Sequence, residues 1–219
     1  MHAMGGTHPQ GRHGGNTAEP RILLITPPAP TADTWRRLET LLTALPTGSL
    51  TLQLRLPQAT TRTLLSHAAN LQRQCAACGV PLLVNRRIDV ALAVGADGVQ
   101  LPENALPVPE ARRLLAADAR IGRSCHDLRG LSAAARGGAD FATLSPFAPT
   151  AGKSPPLARS AFRTACMDSS IPVYALGGIH AGNAAAAIEA GAHGVAVISA
   201  IFAAENPKAA LQALHAAVR

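Results

Sequence analysis

Two glycines and a serine near the C-terminal end, Gly177-Gly178 and Ser199, are the residues best suited to hold an anion. Glycine lets the backbone approach a ligand with no Cβ in the way. The N–H groups of such a turn, joined by those of a short helix start at Ile198-Ser199, suit a phosphate group. Each stands at the end of an apolar run. Other polar residues close apolar runs in the same manner: Arg55, Asn85, Gln100, Ser124 with Cys125-His126, and Ser145. Gln53 lies two residues before Arg55, and the segment SPFAPTAGKSPP adds Thr150 and Lys153. Arg55 and Lys153 supply positive charge; Gln53, Asn85, Gln100 and Thr150 supply hydrogen bonds to a bound anion or the rest of its molecule. Plainer roles exist for each: an ion pair at the rim for Arg55, a helix cap for His126, a solvated loop position for Lys153.

The elements that must position these residues are short and alternate. Eight strand-like runs occur at Arg21–Thr26, Leu50–Arg55, Pro81–Asn85, Gly98–Leu101, Ala119–Ser124, Asp140–Ser145, Pro172–Leu176 and Gly194–Ser199. Most are nearly continuous apolar stretches, the pattern of strands covered on both faces of a parallel sheet. Helical stretches fall between them, including Trp35–Leu45, Arg62–Cys78 and Leu128–Arg136, with Gly79, Gly95, Gly137 and Gly191 as helix-ending glycines. The echo of GADGVQL, GADFATL and GAHGVAV marks a repeated β/α unit. The fold class is α/β, a single (β/α)8 TIM barrel over residues 21–219, with residues 1–20 as a disordered leader. Active sites of that fold lie at the C-terminal strand ends, and the loops after strands 7 and 8 commonly hold phosphate. A doubly wound sheet is the alternative.

Composition removes several function classes. The chain has 219 residues, 47% hydrophobic, enough for one sizeable core. No apolar run approaches the roughly 20 residues of a membrane span, and the first 20 residues lack the apolar centre of a signal peptide. The expected location is the cytoplasm. The net charge is +7, but its 20 basic residues are scattered, and aromatics make up only 3%. Nucleic-acid binding asks for a clustered basic face or stacking platforms, so neither nucleic acid nor membrane is an expected partner. Cys75 and Cys78 form a lone pair with no second pair to complete a zinc site. The expected ligand is a small-molecule phosphate, with a homodimer as the possible assembly.

The motifs LQLR (52–55), LLVNRRIDVALAVGADGVQLP (82–102), GRSCHD (122–127), PFAPTAGKSP (146–155) and the ALGGI…AGAHGVAVISAIF tail together resemble the thiamine-phosphate synthase and thiazole tautomerase (TenI) superfamily. Segments 124–127, 140–146 and 172–178 are also similar to the barrel domain attached to some Nudix hydrolases, which implies a non-catalytic phosphate-binding module as one alternative. Synthases of the superfamily join a pyrimidine diphosphate to a thiazole phosphate with Mg²⁺. Where their pattern has two metal-holding aspartates, this chain has Arg86 and Ala105. An arginine repels the ion, and Mg²⁺ needs hard oxygen ligands. No cofactor is therefore expected, with Mg²⁺ only under the synthase alternative.

The resemblance implies instead a metal-independent thiazole tautomerase as first reading. It rests on Asn85-Arg86-Arg87, Val99–Pro102 and Gly122-Arg123-Ser124-Cys125-His126. Tautomerase chemistry moves a proton at carbon, which suits an imidazole. The resemblance places His126 as acid/base, with Ser124 beside it. Thiamine-phosphate synthase is the alternative.

Overall fold

The computed structural model describes residues 19–150, 152 and 154–219. Eight parallel strands close into a barrel in sequence order. They are β1 (Ile22–Ile25), β2 (Leu50–Leu54), β3 (Leu82–Asn85), β4 (Gly98–Leu101), β5 (Arg120–Cys125), β6 (Phe141–Leu144), β7 (Val173–Leu176) and β8 (Gly194–Val197). Every expected strand is present, and the expected ends differ by at most two residues. The barrel closes where Ile22 of β1 pairs with Val195 of β8.

Helices cover the outside: α1 (Ala32–Leu42), α2 (Thr61–Cys78), α3 (Ile88–Val94), α4 (Val108–Leu114), α5 (Leu128–Arg136), α6 (Arg159–Met167), α7 (Ala181–Glu189), α8 (Ser199–Phe202) and α9 (Pro207–Ala217). The first starts three residues before its expected Trp35, because Thr31 and Thr34 form a reciprocal cap. Gly79 and Gly95 end α2 and α3 as expected, and both take the left-handed conformation. Gly137 ends α5 as expected, with φ −75°, and Gly138 makes the left-handed turn after it. Both are glycine, so the local pattern could not place the turn.

Alternation along each strand divides the apolar residues in two. Outward residues such as Leu24, Leu52, Val84, Val99, Ile121, Leu144 and Val195 pack under the helices in the larger core. Inward residues Leu23, Ile25, Leu83, Phe141, Tyr174 and Ala196 fill the barrel interior. The N-terminal end of the barrel is closed by Glu19 and Pro20. Pro20 is buried, and its carbonyl accepts from the Tyr174 hydroxyl at 2.5 Å. These two residues, expected to belong to the leader, thus pack against the barrel; residues 1–18 lie outside the described residues. Among the described residues no helix is long and apolar enough to cross a membrane.

Candidate active site

The inward alternation that buries apolar residues low in the barrel brings polar ones to its C-terminal end. Thr51 and Gln53 on β2, Gln100 on β4 and Thr143 on β6 are each at most 2% exposed. Gln53 Nε2 donates to Asn85 Oδ1 at 3.0 Å. Gln100 Nε2 donates to Ser124 Oγ at 3.1 Å and, at 3.4 Å, to Thr143 Oγ1. Gln53, Asn85, Gln100 and Ser124 are therefore brought together as expected. Thr143 joins them; its signal was a single polar residue inside the run FATL. Gly122 makes this arrangement possible, since a Cβ there would fall 2.1 Å from Gln100 Oε1 and 2.2 Å from the Phe141 ring.

The amide donors of this floor are used and several other polar atoms are not. Gln53 Oε1, Gln100 Oε1 and Thr51 Oγ1 are buried with no hydrogen-bond partner among the described residues. A buried polar atom left unpaired costs about 1–3 kcal/mol, so such atoms call for a ligand donor or a bound water.

Arg55 follows β2 and is half-buried. Thr26 fixes its backbone: Arg55 N–H donates to Thr26 Oγ1 at 2.9 Å, and Thr26 Oγ1 donates to Arg55 O at 3.3 Å. No ion pair to a described carboxylate neutralises its guanidinium. The rim ion pair that would have made it structural is absent among the described residues. Thr150 sits in the loop after β6 and donates to Ala148 O at 3.0 Å. Lys153 lies outside the described residues.

His126 stands beyond β5 and is not the cap of α5. Asp127 is, accepting from Gly130 N–H at 2.7 Å. His126 Nδ1 instead meets Glu103 Oε2 at 2.9 Å, with both side chains more than half exposed. Glu103, which the sequence did not single out as a partner, belongs to the loop after β4. That loop is also held by Arg123, whose guanidinium donates to the Leu106 and Glu103 carbonyls at 3.0 and 2.7 Å.

Gly177 and Gly178 have φ of 97° and 65°, a backbone that requires glycine. Their Cα hydrogens pack on the loop after β6: a Cβ on Gly178 would lie 2.9 Å from both Ala148 Cβ and Pro149 O. Two bonds tie the loop to the turn, from Phe147 N–H to Leu176 O (2.9 Å) and Ala148 N–H to Gly177 O (3.0 Å). The glycines thus serve loop packing. Asn183 of α7, missed in the sequence, donates to Gly178 O at 2.8 Å and sets the turn. The N–H groups of Gly178, Ile179, Ser199 and Ala200 engage no acceptor among the described residues. Ile198 is the N-cap that precedes α8, with φ −130° and ψ −83°.

The donor set does not fit a magnesium ion. Among the described residues no group of three His, Cys, Asp or Glu could hold a metal. Arg86 and Ala105 offer no oxygen side chain, and Glu103 is engaged by His126. Burial pushes the thiols of Cys75, Cys125 and Cys166 up to about 12, which disfavours the thiolate form that binds metal or attacks as a nucleophile.

A family model described as thiamine monophosphate synthase matches residues 22–201. A thiamine-phosphate synthase of Chloroflexus aurantiacus is 40% identical over 174 residues, covering 78% of this chain and 80% of its own. One of Albidiferax ferrireducens is 41% identical over 163 residues, covering 73% and 74%. Among solved structures, a thiamine phosphate pyrophosphorylase from Pyrococcus furiosus superposes with a TM-score of 0.80 at 30% identity, covering 90% of this chain and 95% of that one. These similarities overturn the tautomerase reading. Three of the residues that suggested it have scaffold roles: Gly122 makes room for Gln100, Arg123 pins a loop, and Arg87 pairs with Asp89 at 2.5 Å.

Proposed function

We propose a function from one premise: the chain belongs to the thiamine monophosphate synthase family. It is an enzyme of thiamine biosynthesis, and the finer reading is thiamine-phosphate synthesis, the joining of a pyrimidine diphosphate to a thiazole phosphate. The observation that carries this reading is the 40% identity to a named thiamine-phosphate synthase over about four-fifths of both chains.

In that reaction the thiazole nitrogen lone pair forms a bond to the pyrimidine methylene carbon. The bond from that carbon to diphosphate oxygen breaks, and diphosphate leaves with the electron pair. The site must therefore hold a monophosphate, hold a planar amine-bearing ring, and stabilise negative charge growing on a leaving group. Unengaged N–H groups after β7 and β8 suit the monophosphate. The orphaned oxygens of Gln53 and Gln100 suit the N–H donors of the ring's amine, with Asn85 and Ser124 holding those amides in place. Arg55 supplies charge toward the leaving group, where fixed cations are most effective; Thr150 and Lys153 are further anion ligands in the loop after β6. Coupling needs no proton taken from carbon, so His126 is a rim residue positioned by Glu103 rather than a proton shuttle.

The test is direct. Purified protein is incubated with both substrates, and thiamine phosphate and released diphosphate are followed by chromatography. Stoichiometric product is expected, with Arg55→Ala slower by about 10- to 100-fold. Absence of product, with or without Mg²⁺, would sink the reading.

A further inference from the structure

Arg86 is the one described non-glycine residue with a positive φ, at 66°. Such a backbone is uncommon for a side chain of this size and marks a constrained position. Its N–H donates to Gln100 O at 2.9 Å, so the residue is anchored from β3 onto β4. Its guanidinium reaches the same way, with Nη2 donating to Asn104 Oδ1 at 2.5 Å. Asn104 is the neighbour of Ala105. The guanidinium thus extends from the first of the two positions unfit for a metal toward the second. Asn104 is neutral, so the charge on Arg86 is not cancelled by a carboxylate there. Arg87 next to it is different, being paired with Asp89, whose carboxyl that hydrogen bond holds below the usual carboxylate range. Arg55 closes the neighbouring strand, since Leu54 pairs with Val84. Two arginines with no carboxylate partner among the described residues therefore follow adjacent strands, Arg55 half-buried and Arg86 exposed.

We propose that Arg86, with Arg55, is a metal-independent diphosphate clamp, the guanidinium standing where a divalent cation would otherwise bridge the leaving group. Guanidinium presents planar paired donors that match phosphate oxygens, and does so without a metal. Asn104 keeps the fork oriented while leaving its other donors for the ligand. That the ligand is a diphosphate ester rests on the synthase reading; the clamp itself is tested with inorganic pyrophosphate.

The full chain is titrated calorimetrically with pyrophosphate in EDTA and again in excess Mg²⁺. Binding is expected in EDTA, with an affinity that magnesium does not raise. Arg86→Ala is expected to weaken it by about 10- to 100-fold, and Arg86→Lys to restore only part, because an ammonium lacks the fork. Inorganic phosphate titrated into Arg86→Ala in parallel should bind as to wild type, showing a folded variant. The double variant Arg86→Asp/Ala105→Asp should bind pyrophosphate only with Mg²⁺. Pyrophosphate binding by wild type that requires Mg²⁺, or wild-type affinity in Arg86→Ala, overturns the proposal. Metal-free, Arg86-dependent pyrophosphate binding in a protein that makes no thiamine phosphate would leave the clamp standing and remove the synthase reading.

Discussion

At the N-terminal end of the barrel Tyr174 donates to the Pro20 carbonyl, Arg120 pairs with Glu19, and His193 Nε2 meets the Glu19 carbonyl at 3.1 Å. At the C-terminal end Gln53 and Gln100 each leave one amide oxygen unpaired, and Arg55 and Arg86 have no carboxylate partner among the described residues. Both ends are polar openings of the same sheet. The first is a closed set of contacts, reinforced by Arg120 over the Phe141 ring and by Tyr174 edge-on to Phe141. The second is an open set, with acceptors free for a ligand's donors and cations free for an anionic group. In a barrel whose middle is filled by side chains, completion at one end and incompletion at the other separate stability from function.

That contrast breaks most visibly at Gly122, which belongs to the mouth but packs on the middle layer. Gly122→Ala drives a Cβ into Gln100 and Phe141. It should cost about 1–3 kcal/mol of stability by overpacking and also lower coupling activity; thermal melting with an activity assay checks both. Tyr174→Phe should affect only stability, losing about 1–3 kcal/mol because the buried Pro20 carbonyl is left unpaired. Its rate per folded molecule should match wild type. Gln100→Leu should do the reverse. Leu removes the unpaired oxygen together with the bonds from Nε2 to Ser124 and Thr143, so the two terms offset and denaturant unfolding should shift by less than about 1 kcal/mol while coupling falls about tenfold or more. A Gln100→Leu protein with wild-type turnover would erase the distinction between the ends.

The smallest effect concerns acid. Burial lowers the pKa of His193, with the Arg21 charge adding to it. A histidine depressed in the folded state is neutral in both states above its ordinary value near 6.5. As pH falls below that value the unfolded chain takes up the proton first, so stability declines. His193→Gln should flatten this acid limb in pH-dependent melting and leave stability above neutrality little changed; His215, lowered by burial and Arg219, keeps a residual slope.

The strands were legible because residues covered on both faces must be apolar, and polar residues at their C-terminal ends stood out against that background. Leu128–Arg136 was readable to the residue, since Asp127 caps it and Gly137 and Gly138 follow. The partners were not legible. Glu103 with His126, Thr143 with Gln100, and Asn183 with the Gly178 carbonyl are separated by 23, 43 and 5 residues and meet only through the closed sheet or the β7–α7 turn. The branch of the family was misread for a related reason. Arg87, Arg123 and Gly122 carry distinctive motifs, yet their contacts are to Asp89, to backbone carbonyls and to packed side chains. A motif can be distinctive because a scaffold needs it.

The most direct test of the separation between the two ends is a crystal structure with thiazole phosphate bound. Its phosphate is predicted at the N–H groups of Gly178, Ile179, Ser199 and Ala200, with the ring over Gln53 and Gln100 and the Glu19–Arg120–Tyr174 cluster unchanged. Ligand bound at the Glu19 end, or a phosphate that leaves those N–H groups unengaged, would contradict the account.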